Sequence, residues 1–192
     1  MNRLVLLLLL SLLLLAGCHW EEKFPVEPAI TFVSLEKIDE GTGIDNKATL
    51  TLHFQDGDGD LGLNNDDIYS PFDTASVYYY NLFIDYYKKI NGQFQKIEFE
   101  SVTFNQRFPR LSNDVPESIE GDLYVDLPIN SLDPSTQYDT IKFSCYIVDR
   151  ALHVSNTVET TPLVVKKFAT AHAHTLDGTA TTGSGNTIVS LK

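Results

Sequence analysis

Ala48-Thr49-Leu50-Thr51-Leu52-His53-Phe54-Gln55 decides the fold class, because Leu50, Leu52 and Phe54 alternate strictly with Thr49, Thr51 and His53. Successive side chains of an extended strand point to opposite faces, so this segment reads as a strand with one face in a core and the other toward solvent. Similar segments lie on both sides of it. Ile30–Ile38 precedes it. Val77–Ile90 follows, long and aromatic, and ends at Asn91-Gly92, a strong hairpin signal, from which Gln93–Phe99 returns with Ser101–Phe104 as an extension. Gly121–Ile129 sets Leu123, Val125 and Leu127 on one side, and Asp139–Val148 and Val154–Lys167 complete the set. Asn105–Glu120 is polar, carries Pro109 and Pro116, and reads as a loop. No window of ten or more residues gives an amphipathic helix. About seven strands with short connections in roughly 140 residues predict an antiparallel β-sandwich.

Leu132-Asp133-Pro134-Ser135-Thr136-Gln137-Tyr138, followed by Ile141, Phe143, Cys145 and Ile147, resembles the L-x-P-x-T-x-Y lead-in to strand F of fibronectin type III domains. The resemblance covers about twenty residues. It implies that the proline turn closes one strand and that the Tyr138 hydroxyl bonds back to the upstream backbone at the corner. The chain departs from that family in lacking a tryptophan at the strand-B position and in its longer B–C and C′–E connections. The expected class is therefore all-β: a single immunoglobulin-like antiparallel β-sandwich of about seven strands over residues 30–168.

The amino terminus gives a location. Met1-Asn2-Arg3 is followed by Leu4–Leu15, all Leu or Val except Ser11, and then by Ala16-Gly17-Cys18. A basic start, a short apolar run and small residues form a secretory signal peptide, and the run falls short of the roughly 20 apolar residues that span a bilayer. Leu15-Ala16-Gly17-Cys18 resembles the lipobox of bacterial lipoproteins, which implies removal of residues 1–17 and acylation of Cys18. Residues 18–29, with Pro25 and Pro28, then form a tether. Glu21-Glu22 resembles the acidic export signal of some Bacteroidetes lipoproteins, with an ordinary polar tether as the alternative. Residues 169–192 shift to Ala, Thr, Gly, Ser and His and read as a flexible tail, in which Thr187–Leu191 could add an edge strand.

Charge and cysteine content narrow the partners. The whole chain carries a formal charge of −12, and losing Arg3 with the leader makes the mature form more acidic still. No cluster of Lys and Arg longer than a pair appears, so nucleic acid is not an expected partner. With Cys18 acylated, Cys145 stands alone and no intrachain disulfide can form. Its apolar neighbours Phe143, Tyr146, Ile147 and Val148 mark it as a small buried hydrophobe rather than a nucleophile.

One stretch carries candidate chemistry. In Asp56-Gly57-Asp58-Gly59-Asp60-Leu61-Gly62-Leu63-Asn64-Asn65-Asp66-Asp67, three carboxylates alternate with glycines. Such carboxylates repel one another unless a cation screens them, and the glycines let the backbone curl so that the oxygens converge. Ca2+ takes six to eight oxygen ligands in flexible geometry and suits such a loop, which makes Asp56, Asp58, Asp60, Asp66 and Asp67 the candidate ligands. The EF-hand pattern fails, since Leu61 holds the sixth position, where that loop needs glycine. An acidic turn that binds nothing tightly is the alternative. Phe54–Gly62 also resembles a motif of Bacteroidetes lipoproteins built on a single β-sandwich, which supports the architecture and not a mechanism. In such sandwiches the B–C and F–G loops share an end, which places this loop, near the tether, beside Asp149-Arg150-Ala151-Leu152-His153. Asp149 could add a ligand, or Arg150 could pair with the acidic loop in the absence of metal.

A second candidate is Val77-Tyr78-Tyr79-Tyr80-Asn81-Leu82-Phe83-Ile84-Asp85-Tyr86-Tyr87. As one strand it would turn Tyr78, Tyr80, Leu82, Ile84 and Tyr86 to the core and leave Tyr79, Phe83 and Tyr87 as a possible glycan-binding face. The competing explanation is that aromatics favour strands and stabilise sheets by cross-strand pairing. His172-x-His174 lacks further ligand partners, and no Gly-x-Ser-x-Gly elbow, His-Glu-x-x-His or phosphate-cradling loop occurs. The expectation is a non-catalytic lipoprotein of the bacterial outer membrane with a structural or binding role. Its expected partners are the membrane, through its lipid, and an envelope protein or glycan.

Overall fold

The computed structural model describes residues 24–100, 102–112, 117–130, 138–167 and 187–191, the last five and Tyr138 by their backbone alone. The leader, Cys18, Glu21-Glu22, the Leu132–Gln137 motif and His172-x-His174 lie outside the described residues. The chain is an all-β sandwich of antiparallel sheets. Its strands are β1 (Ala29–Ile38), β2 (Lys47–Asp56), β3 (Leu82–Ile90), β4 (Gln93–Lys96), β5 (Ile119–Pro128), β6 (Tyr138–Ile147), β7 (Val158–Glu159), β8 (Leu163–Lys166) and β9 (Thr187–Leu191). One sheet has the order β1-β2-β5-β9; the other runs β4-β3-β6-β7, with β8 pairing β6 beyond β7. This order corresponds to the A-B-E and C′-C-F-G arrangement of immunoglobulin-type sandwiches. Among the described residues no helix is long and apolar enough to cross a membrane.

The alternation read in the sequence sets the core. Leu50, Leu52 and Phe54 of β2 and Leu123, Val125 and Leu127 of β5 are fully buried. They face Leu82 and Ile84 of β3 and Ile141, Phe143, Cys145 and Ile147 of β6 in one continuous cluster. Burial pushes the Cys145 thiol up to about 12, so it packs as a neutral apolar group.

Three elements differ from the sequence expectation. Val77–Tyr79 is a 3-10 turn, not the start of a strand, and Ser76 caps it by accepting a hydrogen bond from the Tyr78 N–H at 3.1 Å. The strand begins only at Leu82, where Leu82 and Gln106 exchange backbone hydrogen bonds. The return strand β4 stops at Lys96, and Phe104 does not extend it; its ring enters the core and packs on Tyr86, Phe99 and Phe143 at centroid distances of 5.5, 6.1 and 5.3 Å. The last long strand is split into β7 and β8. Between them Thr160 satisfies both backbone groups of Phe143, donating its N–H to the Phe143 carbonyl and accepting the Phe143 N–H on its hydroxyl, and Pro162 has no N–H for a ladder. Thr187–Leu191, the edge strand that the sequence offered within the tail, forms β9 on the edge of the first sheet, paired with Gly121–Val125.

Candidate metal centre

Asp56 is the last residue of β2, in phase with Leu50, Leu52 and Phe54, so the pleat that buries those side chains buries this carboxylate too. It is 0% exposed, and neither oxygen has a hydrogen-bond partner among the described residues. Asp149 stands in the equivalent phase two residues beyond Ile147 at the end of β6 and is 2% exposed. Carboxylate oxygens of Asp56, Asp60 and Asp149 all lie within 4.8 Å of one another. Asp58 lies close enough to repel all three, and one oxygen each of Asp58 and Asp60 is buried without a partner among the described residues.

The loop reaches this shape through its glycines. Gly59 and Gly62 adopt φ of +69° and +87°, where only glycine is unstrained, and a Cβ on either would collide with the carbonyl of Glu117 or Pro109. Gly57 lies directly against the Phe24–Pro25 backbone: a Cβ there would come 2.1 Å from the Phe24 carbonyl oxygen. The wall opposite is the segment expected to be a plain loop. Ser118 donates its hydroxyl to the Gly57 carbonyl, Ser112 donates to that of Gly59, and Arg110 and the Leu111 N–H donate to that of Leu61. Nothing in the local pattern of 105–120 marks these side chains; the buried Phe104 and Phe108 were the available sign that the segment is part of the body.

The electrostatics follow from burial and crowding. Desolvation first, then the charges of Asp58, Asp60 and Asp149, push Asp56 up to about 7, with only the Leu61 amide opposing from outside hydrogen-bonding geometry. Asp60 is raised by burial and by Asp149 and Asp58, against the Ala151 N–H, which it accepts at 3.0 Å, and Arg110. Asp149 is raised by burial, although His153 donates its backbone N–H to one oxygen at 2.8 Å and sets ring Nδ1 2.8 Å from the other. That contact with Asp149 raises His153 in turn.

Of the five sequence candidates, the structure gathers Asp56, Asp58 and Asp60 and adds Asp149 from the F–G loop. Asp66 is exposed and outside the cluster. Asp67 is turned away to the Arg150 guanidinium and also accepts the Asn64 N–H at 2.6 Å. Burial works against its charge, but Arg150 and Asn64 hold its carboxyl below the usual range. Asp149 lies in the cluster, while Arg150 pairs with the loop at Asp67.

Hard oxygen donors without nitrogen or sulfur suit Ca2+ or Mg2+ rather than a transition metal. Oxygens on opposite sides of an ion are separated by about 4.6–5.2 Å at calcium distances and about 4.0–4.2 Å at magnesium distances. Oxygens of Asp56, Asp60 and Asp149 that lie within 4.8 Å of one another are close enough to share one such ion.

The aromatic candidates are placed differently. Tyr79 sits on the 3-10 turn with the Arg107 guanidinium 5.1 Å from its ring centre. Phe83 is buried and stacks on Tyr146 at 4.8 Å, and Tyr87 lies beneath the Lys142 ammonium at 5.4 Å. Phe83 and Tyr87 share a face of β3, whereas Tyr79 does not belong to that strand. No protein-family model, curated protein or solved structure matches the chain.

Proposed function

We propose that the chain is a non-catalytic, acyl-anchored lipoprotein of the bacterial outer membrane whose sandwich binds Ca2+ through Asp56, Asp58, Asp60 and Asp149, in a structural or binding role at the envelope. One observation carries the calcium reading: a fully buried carboxylate, Asp56, with neither oxygen hydrogen-bonded among the described residues, beside three more carboxylates. Burying an ionised carboxylate unpaired costs several kcal/mol. A divalent cation supplies the missing counter-charge, ties the end of β2 to the end of β6 and so clamps the two sheets together. The anchor rests on the leader and on Cys18.

The test is a thermal melt of the mature chain in chelator and in millimolar Ca2+, with calorimetric titration alongside. A cation that binds only the folded loop adds about 2.7 kcal/mol at a free concentration one hundred times its dissociation constant. Coincident melts with no binding heat would reduce the cluster to an acidic turn. Acyl mass on Cys18 and partition into detergent test the anchor independently.

A further inference from the structure

Ile68 and Tyr69 stand consecutively on the loop that follows the acidic cluster, 57% and 77% exposed. The loop is held to the cluster end of the sandwich at several points. Arg150 pairs with Asp67 and lies 6.0 Å from the Phe72 ring centre. Arg107 donates to the carbonyls of Asn64 and Asp67. The Phe72 N–H donates to the Tyr69 carbonyl at 2.8 Å, which closes the turn that carries the two apolar side chains.

The amino-terminal segment arrives at the same end, where the Phe24–Pro25 backbone crosses Gly57. Cys18 is six residues before Phe24, so the acylated residue lies no more than about 20 Å from that crossing even with the chain fully extended. Strands β2 and β5 are ten residues long, which places the opposite end about 33 Å further away. The anchor thus holds the cluster end, and not the Asn91-Gly92 hairpin end, next to the bilayer.

We propose that the Asp66–Phe72 loop rests on the bilayer that holds the Cys18 acyl chains, with Ile68 and Tyr69 seated among the lipid headgroups. The inference depends on the lipoprotein reading above. An amphipathic tyrosine and a neighbouring aliphatic side chain suit the interface. Tethering makes the contact intramolecular, so a weak affinity suffices. Charge opposes the contact, since Asp66 and Asp73 flank the apolar pair and repel anionic lipid, and a cation in the cluster weakens that repulsion by reducing the negative field at this end.

The experiment uses the acylated full-length mature protein in phosphatidylethanolamine–phosphatidylglycerol vesicles with millimolar Ca2+. An environment-sensitive fluorophore is placed at Y69C or, as a control at the far end, at K89C; buried Cys145 does not compete for the label. Position 69 is expected to shift to the blue and to be quenched several-fold more strongly than position 89 by lipids nitroxide-labelled near the headgroup. Equal, water-like emission at both positions in vesicle-bound protein would overturn the inference and leave the anchor intact. A blue shift at 69 without lipid quenching would also overturn it, because a protein then covers the loop. Absence of acyl mass on Cys18 would overturn both this inference and the lipoprotein reading.

Discussion

Asp56 and Asp149 sit at the ends of facing strands from different sheets and bring carboxylate oxygens within 4.8 Å of each other. Both are buried, so whatever neutralises them acts on the joint between the sheets. Asp56→Asn separates the charge from the shape. In chelator at pH 8 it is expected to melt above wild type, because a buried, mutually repelling charge has been removed. The same substitution is expected to lose the calcium-induced shift. Melting curves of both proteins, with and without calcium, give the four midpoints needed. A variant less stable than wild type in chelator, or one that keeps the full calcium shift, would contradict the assignment of Asp56 as a ligand.

The pH dependence of the metal-free protein has a defined sign. Asp56 is raised from an ordinary 3.8 to about 7 in the folded state, which therefore holds the proton more tightly than the unfolded chain. Its contribution is fully present below about pH 4 and is lost as pH rises through about 7, on the order of 4 kcal/mol in all. Asp60 and Asp149 shift in the same direction. Asp67, lowered by Arg150, acts oppositely: its contribution is lost on acidification below its ordinary range. Denaturant melts in chelator are expected to show stability falling from pH 5 to pH 8. Because calcium needs the carboxylates ionised, binding at pH 6 should release protons, seen as a dependence of calorimetric heat on buffer ionisation enthalpy. Flat chelator stability over that range would show that Asp56 is not protonated in the fold.

Much of this was written in the sequence, some of it unread. The alternation that identified β2 as a strand extends without interruption from Leu50, Leu52 and Phe54 to Asp56, and that of β6 from Ile141, Phe143, Cys145 and Ile147 to Asp149. An acid in phase with a core face at a strand end was the available signal that separates Asp56 and Asp149 from exposed Asp66. Asp67 was not separable in this way, because its partner Arg150 is distant in sequence and meets it only through the packing of two loops. The Val77–Tyr87 run misled for a related reason. Aromatic content favours strands, but Ser76 caps a turn, and the ladder of β3 begins only where Gln106 can pair with Leu82.

Asn81 replaces ladder pairing just before β3. Its side-chain amide donates to the Phe108 carbonyl and its carbonyl oxygen accepts the Phe108 N–H, both at 2.8 Å and both buried. Asn81→Ala leaves two backbone groups stranded and is expected to cost about 2–4 kcal/mol. Asn81→Asp restores the acceptor but sets an anion against the Phe108 carbonyl, so it should not rescue. Urea melts with an unchanged slope and a lower midpoint for both variants are the expected result; a neutral Asn81→Ala would mean that water replaces both contacts.

Gly57 links the amino-terminal segment to the acidic loop. A Cβ at this position would meet the Phe24 carbonyl oxygen at 2.1 Å and that of Pro25 at 2.5 Å, and neither is a flexible side chain that can swing aside. Gly57→Ala must therefore lift residues 24–25 off the loop or move the loop itself, at a cost of about 1–3 kcal/mol. A double-mutant cycle distinguishes the two. Thermal melts are compared for Gly57→Ala in the mature chain and in a chain that starts at Val26. If the clash is with the amino-terminal segment alone, alanine destabilises the first protein and is nearly neutral in the second, and its calcium shift is retained in both. If alanine is equally costly in both, the glycine is required by the loop itself, and the segment that leads to Cys18 is not fastened at this end of the sandwich.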